Sequence, residues 1–148
     1  MTRLQGFLRR HQRIALDTSV FIYRLEAAPR YANLTDRVFA WLERPGHAAV
    51  TSTITMTELL VQLYLRSDER QVDEFYALLS TYPNLDWISP SLPIADRAAR
   101  IRSAHRFRTP DALQAATAVQ SQATGLVTSD SVFERVKDFE TLVLENLC

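Results

Sequence analysis

The stretch Arg108-Thr109-Pro110-Asp111-Ala112-Leu113-Gln114-Ala115-Ala116-Thr117-Ala118 restricts what this chain can fold into more than any other. Threonine at an N-cap, proline at the first helical position and aspartate in the first turn announce a helix N-terminus. Behind it Ala112, Ala115, Ala116, Val119 and Ala123 recur at helical spacing, so one face is small and apolar. A helix with that face can lie close against a sheet, and its first turn then carries an acid to the sheet's end.

The rest of the chain supplies the sheet. Residues 13–16 read as a short buried strand running into Asp17-Thr18-Ser19, a polar turn able to cap the next helix. Helices are predicted over 19–26 and 31–44, the second stopped by Pro45-Gly46. A second strand over 47–52 leads through Thr53-Ile54-Thr55 into a helix reaching Arg66, with Glu58 early in it. Ser67-Asp68 opens another helix to Thr81, 84–89 is a third strand, and Ser91-Leu92-Pro93 starts a helix to Arg106. The alanine-faced helix spans 110–123. A fourth strand over 125–128 ends at Ser129-Asp130-Ser131, and 141–145 is a fifth at a sheet edge. This alternation predicts an α/β fold: a mostly parallel central sheet of about five strands, flanked by helices and joined by right-handed crossovers. Ligands bind such sheets beyond the carboxyl ends of the strands, so topology alone puts Asp17 and Asp130 on the functional edge.

Composition excludes several classes. The 148 residues fit one domain, and 47% hydrophobic with 23% charged residues is ordinary for a globular protein. The 17 basic and 17 acidic residues cancel, so nucleic-acid binding would need a local site. The one cysteine, Cys148, precludes an internal disulfide and a cysteine metal cage. No stretch reads as a bilayer span, and the arginine-rich start lacks the apolar core of a secretory signal, so a cytoplasmic location is expected. Residues 1–13 read as a basic N-terminal extension to a domain at 14–148. The extension could be an extra helix, a basic arm for RNA or a disordered lead, with Phe7 and Leu8 available to a partner.

Four acids stand out, and each has a plain structural reading. Asp17 and Asp130 could be caps, worth about 1 kcal/mol each. Asp111 could serve the helix dipole at roughly 0.3–1 kcal/mol. Thr55 and Glu58 have capping-box spacing. Together, however, two strand ends and two early helical turns deliver four carboxylates to one edge. Their repulsion would raise some pKa values or recruit a cation, and an all-oxygen site suits Mg²⁺ or Mn²⁺. Such an ion can polarise a phosphoryl oxygen and activate a bound water, which is phosphodiester chemistry. Thr18, Ser19, Thr128 and Ser129 could support the metal's waters or the carboxylates, or simply cap turns. Arg102, Arg106 and Arg108 could meet RNA phosphates or line a solvated helix end. The three histidines have no metal-ligand spacing.

The segments Leu16-Asp17-Thr18-Ser19-Val20-Phe21-Ile22, Glu58-Leu59-Leu60, Thr109-Pro110-Asp111-Ala112 and Val127-Thr128-Ser129-Asp130-Ser131-Val132-Phe133 resemble, in order and spacing, the four acidic motifs of PIN-domain ribonucleases, particularly VapC-type toxins. The resemblance implies a three-layer PIN-like fold and a Mg²⁺- or Mn²⁺-dependent endoribonuclease, with Asp17, Glu58, Asp111 and Asp130 as catalytic and metal-binding quartet. It also implies an RNA substrate, a small cognate antitoxin and a homodimer. Two departures are visible: Val132 stands where many relatives carry a further aspartate, and a lead of about a dozen residues precedes the first strand. Aspartyl-phosphate enzymes fit less well. A haloacid-dehalogenase-type phosphatase wants an acid where Ser19 stands, and a receiver domain wants a lysine after a later strand, whereas the only lysine is Lys137. The non-enzymatic alternative is a PIN-fold module that binds RNA or protein, its acids acting as caps.

Overall fold

The computed structural model describes residues 2–147, leaving Met1 and Cys148 outside the described residues. Among those described, five strands form one sheet in the order β3 (Leu85–Ile88), β2 (Ala48–Ser52), β1 (Arg13–Leu16), β4 (Gly125–Thr128), β5 (Glu140–Val143), and every pair is parallel. The chain steps from β1 outward to β3 by way of α2 (Thr18–Leu25), α3 (Ala32–Leu42), α4 (Ile54–Leu65) and α5 (Glu69–Ser80). It then returns through α6 (Leu92–His105) and α7 (Thr109–Gln120) to lay β4 on the other side of β1. The strand order therefore reverses between β1 and β4, and a crevice opens at their carboxyl ends.

Period-two alternation along the strands builds two cores. Ile14, Leu16, Ala49 and Val127 face the helices of one layer, where Phe21, Phe39, Trp41 and Leu42 are buried. Ala15, Val50 and Leu126 face the other, against Ile94, Ile101, Ala112, Ala115 and Ala116. Of the predicted stripe, Ala112, Ala115 and Ala116 are buried and Val119 is half-buried, while Ala123 is buried just past the end of α7, which sits tightly beside β1 and β2. Tyr31, Phe39 and Trp41 are core residues.

The basic lead is a helix, α1 (Arg3–Arg10), closed by a capping box between Thr2 and Gln5. Leu4, Phe7 and Leu8 are buried in the first core, so neither Phe7 nor Leu8 is available to a partner. Gly125 makes the approach possible. A Cβ at that position would lie 2.6 Å from Phe7 Cζ.

Two local expectations are corrected. Arg108, in extended conformation, is the N-cap of α7, and Thr109 lies inside the first turn, where its hydroxyl accepts from Arg102 at 3.1 Å. The capping box at Thr55 does not form, because α4 starts after Thr53 and Thr55 is buried. A buried hydroxyl must find partners, and Thr55 finds them across elements instead.

Candidate functional site

Asp17 follows β1 directly, and its N–H still donates to Val127 O at 3.3 Å. Its side chain is 7% exposed and accepts from the Ser19 N–H at 2.8 Å, the Ser19 hydroxyl and the Thr128 hydroxyl. The two hydroxyls are themselves tied to the next loop. Ser19 Oγ accepts from the Ser129 N–H and Thr128 Oγ1 from the Asp130 N–H, each at 3.0 Å. Burial pushes the Asp17 carboxyl up to about 6; the Ser19 and Thr128 hydrogen bonds hold it lower, and Asp111 adds repulsion.

Glu58, one turn into α4, is exposed and accepts from Thr18 Oγ1 at 2.7 Å. Behind this pair lies a buried polar cluster. Gln114 Nε2 donates to Thr55 Oγ1 at 2.7 Å and to Thr18 Oγ1 at 3.4 Å, its Oε1 accepts from the Ser52 N–H at 3.5 Å, and Thr51 Oγ1 donates to Leu16 O at 2.7 Å. Among the described residues no buried side-chain polar atom is left unpaired. Thr51 and Gln114 do not figure among the residues singled out from sequence, and Thr55 figures only as a capping-box partner of Glu58. A signal for Gln114 was present, as an amide one turn after Asp111 in an otherwise alanine-rich face.

Asp111 is half-buried, and burial raises its pKa against the opposing pull of Arg108, whose Nε is 3.8 Å from Oδ2. Asp130 and Glu58 repel it further. Asp130 is exposed and accepts from the Val132 N–H at 2.9 Å. Asp17 and Asp130 thus cap the turns that follow them and also face one crevice, so the two readings of each residue are compatible.

Asp17, Glu58 and Asp130 fall at the carboxyl edge within electrostatic reach of Asp111, but among the described residues no three Asp, Glu, His or Cys side chains come together closely enough to hold a metal ion. The donor set suits a hard divalent cation. Mg²⁺ commonly keeps several waters and takes only one or two carboxylates directly, which fits an open crevice of oxygen donors whose mutual repulsion only Arg108 offsets. Arg102 is committed to the α6–α7 loop, donating to Phe107 O at 3.1 Å as well as to Thr109. Arg106 caps α6 in the left-handed region, and Arg108 is 78% exposed at the rim.

A parallel three-layer sheet with acids at its switch point defines an α/β domain of the acidic-crevice type. A PIN domain model matches residues 14–138, and the chain belongs to the PIN domain family. No curated protein sequence matches. Solved structures share the fold. A toxin–antitoxin complex from Klebsiella pneumoniae aligns at 23% identity and TM-score 0.64, covering 88% of this chain and 97% of that one. VapBC-1 from nontypeable Haemophilus influenzae aligns at 20% identity and TM-score 0.68 over 90% and 98% of the two chains. FitAcB from Neisseria gonorrhoeae aligns at 21% and 0.66 over 90% and 99%. Among the described residues no helix is long and apolar enough to cross a membrane.

Proposed function

We propose that the chain is a divalent-metal-dependent endoribonuclease and the toxin of a toxin–antitoxin pair. The observation that carries this reading is the convergence of Asp17, Glu58, Asp111 and Asp130, from two strand ends and two helices, on one crevice. Membership of the PIN family supports it, as do structural neighbours described as toxin–antitoxin complexes. A small antitoxin partner, a homodimeric assembly and a cytoplasmic location belong to the same reading.

Asp17, Glu58, Asp111 and Asp130 would hold Mg²⁺ or Mn²⁺. When bound, the ion supplies charge to a phosphoryl oxygen and acidifies a water. The chain's own residues prepare that site. Ser19 and Thr128 fix the two oxygens of Asp17, and Thr18, itself held by Gln114, orients Glu58. Thr128 also ties the Asp130 backbone to Asp17, so the two strand ends keep one geometry. Arg108 at the rim offers a guanidinium to an incoming phosphate.

Asp17→Asn or Asp111→Asn is expected to lower Mg²⁺-dependent RNA cleavage by about a thousandfold or more, the loss of several kcal/mol of transition-state stabilisation. Far-ultraviolet circular dichroism should stay at wild type. Undiminished cleavage by both variants, or cleavage that persists in chelator, would overturn the proposal. A specific observation also favours the binding-module alternative: Asp17 and Asp130 are engaged as caps, and among the described residues no three acids, histidines or cysteines are gathered as a metal site. Calorimetric titration with Mn²⁺ separates the two, since the nuclease requires saturable binding that Asp17→Asn removes.

A further inference from the structure

The opposite edge of the sheet carries a second surface, on which the acidic crevice makes no demand. Between α1 and α3, beside the segments that enter β1 and β2, lies a cavity of about 710 Å³. Three arginines line it, Arg9, Arg37 and Arg44, with the amides of Gln5 and Gln12. Among the described residues no carboxylate lines it, and none of the three guanidinium groups has an ion-pair or hydrogen-bond partner. The nearby acids are committed elsewhere. Asp36 pairs with Arg24, Glu43 accepts from the Tyr82 hydroxyl at 3.2 Å, and Glu140 is held by Arg10 and His11. The wall is rigid: Trp41 stacks on His47 with ring centroids 4.2 Å apart and donates its indole N–H to Leu8 O at 3.1 Å, clamping α3 to α1.

In a chain with no net charge, three unpaired arginines around one cleft make a local positive field. Guanidinium forks match phosphate oxygens, and the amides add donors that suit the same oxygens. All three arginines are exposed, and the buried polar ring in the lining, His11, is spent on Thr124 and Glu140, so no buried group is left to select a small ligand and a run of phosphates fits better than a single anion. We infer that the α1–α3 cleft, on the edge opposite the acids, is a docking site for the phosphate backbone of RNA. This rests on the ribonuclease reading for the identity of the polyanion. α1 lies outside the residues matched by the PIN model, so its contribution is an addition to the family domain. The strands separate the two edges by roughly 15 Å, so one RNA engages both only by wrapping a sheet face or as a folded molecule.

The test uses the Asp17→Asn chain, so that RNA is bound without being cut, and follows fluorescence anisotropy of a labelled single-stranded RNA across a salt series. Arg9→Ala/Arg37→Ala/Arg44→Ala should weaken binding about tenfold or more at moderate salt and flatten the log–log salt slope by about 2, as loss of three phosphate contacts to a single strand requires. Arg70→Ala/Arg100→Ala/Lys137→Ala makes the same net charge change away from the cleft and should leave the slope unchanged. In the otherwise wild-type chain the cleft triple variant should raise KM for long RNA and leave kcat on a short oligonucleotide unaltered. Equal slopes for the two triple variants, or displacement of RNA by micromolar free nucleotide, would overturn the docking site. Absence of cleavage by the wild type would count against the ribonuclease reading alone, because the Asp17→Asn binding series does not depend on it.

Discussion

The two edges of this sheet are opposites in charge and in how that charge is handled. At the carboxyl edge the acids are wrapped in hydroxyls and backbone N–H groups, and Asp17 is so far from water that its carboxyl resists ionisation. At the amino edge Arg9, Arg37 and Arg44 stand in solvent without partners. A net charge of zero therefore conceals two separated fields of opposite sign. Pre-organisation thus belongs to the acidic edge, where a carboxylate is held out of water at a cost to the fold, while the basic edge is electrostatically ready but costs the fold little.

The largest expected effect on stability tests the cost of burying Asp17. The pKa of Asp17 is raised in the fold from 3.8 to about 6, so its contribution to stability is fully present below the unfolded pKa and is lost as pH rises through the folded one. Asp17→Asn should thus stabilise the metal-free protein above neutral pH, by an amount on the order of 3 kcal/mol less whatever its altered hydrogen bonds cost. Below pH 4 the gain should vanish. Urea unfolding at pH 8 and pH 3.5 measures both ends, and a variant less stable than wild type at pH 8 would break the contrast. At the other edge the sign reverses. Gly125→Ala drives a methyl into Phe7 and should destabilise by about 1–3 kcal/mol at every pH, read by thermal unfolding. Gln114→Leu should cost about 1–2 kcal/mol by leaving the Thr55 and Thr18 hydroxyls without their donor. It should also cut cleavage about 10- to 100-fold, the range seen when the support of a site is removed. The smallest effect belongs to the rim: Arg108→Ala should change stability by less than about 0.5 kcal/mol, since its ion pair with Asp111 is long and largely solvated.

Much of this arrangement was legible in the sequence, for reasons that differ by element. β1 and β4 are bounded as expected because short apolar runs ending in Asp17-Thr18-Ser19 and Ser129-Asp130-Ser131 leave little freedom. The alanine stripe of α7 announced close packing, and packing followed. The contacts of Thr55 and Gln114 were not legible, because partners on other elements supply them and no local spacing encodes such a pairing. Thr55 even carried a misleading local signal, since its offset from Glu58 imitates a capping box that burial overrides. The basic lead was ambiguous for a similar reason. Its helix is secured by Phe7 entering the space over Gly125, a pairing visible only once β4 is in place.

The hydrogen bonds that run from Asp17 through Thr128 to Asp130 have a kinetic side. They join the start of the chain to its final quarter, and the β1–β4 pairing that supports them is a contact of long sequence separation, which forms late in folding. Asp17 and Glu58 leave the ribosome well before Asp130 does, and an intermediate lacking β4 has no Thr128 hydroxyl to hold the second oxygen of Asp17. On the proposed reading, an incomplete chain is a harmless one, and the capacity to cut RNA switches on together with completion of the fold.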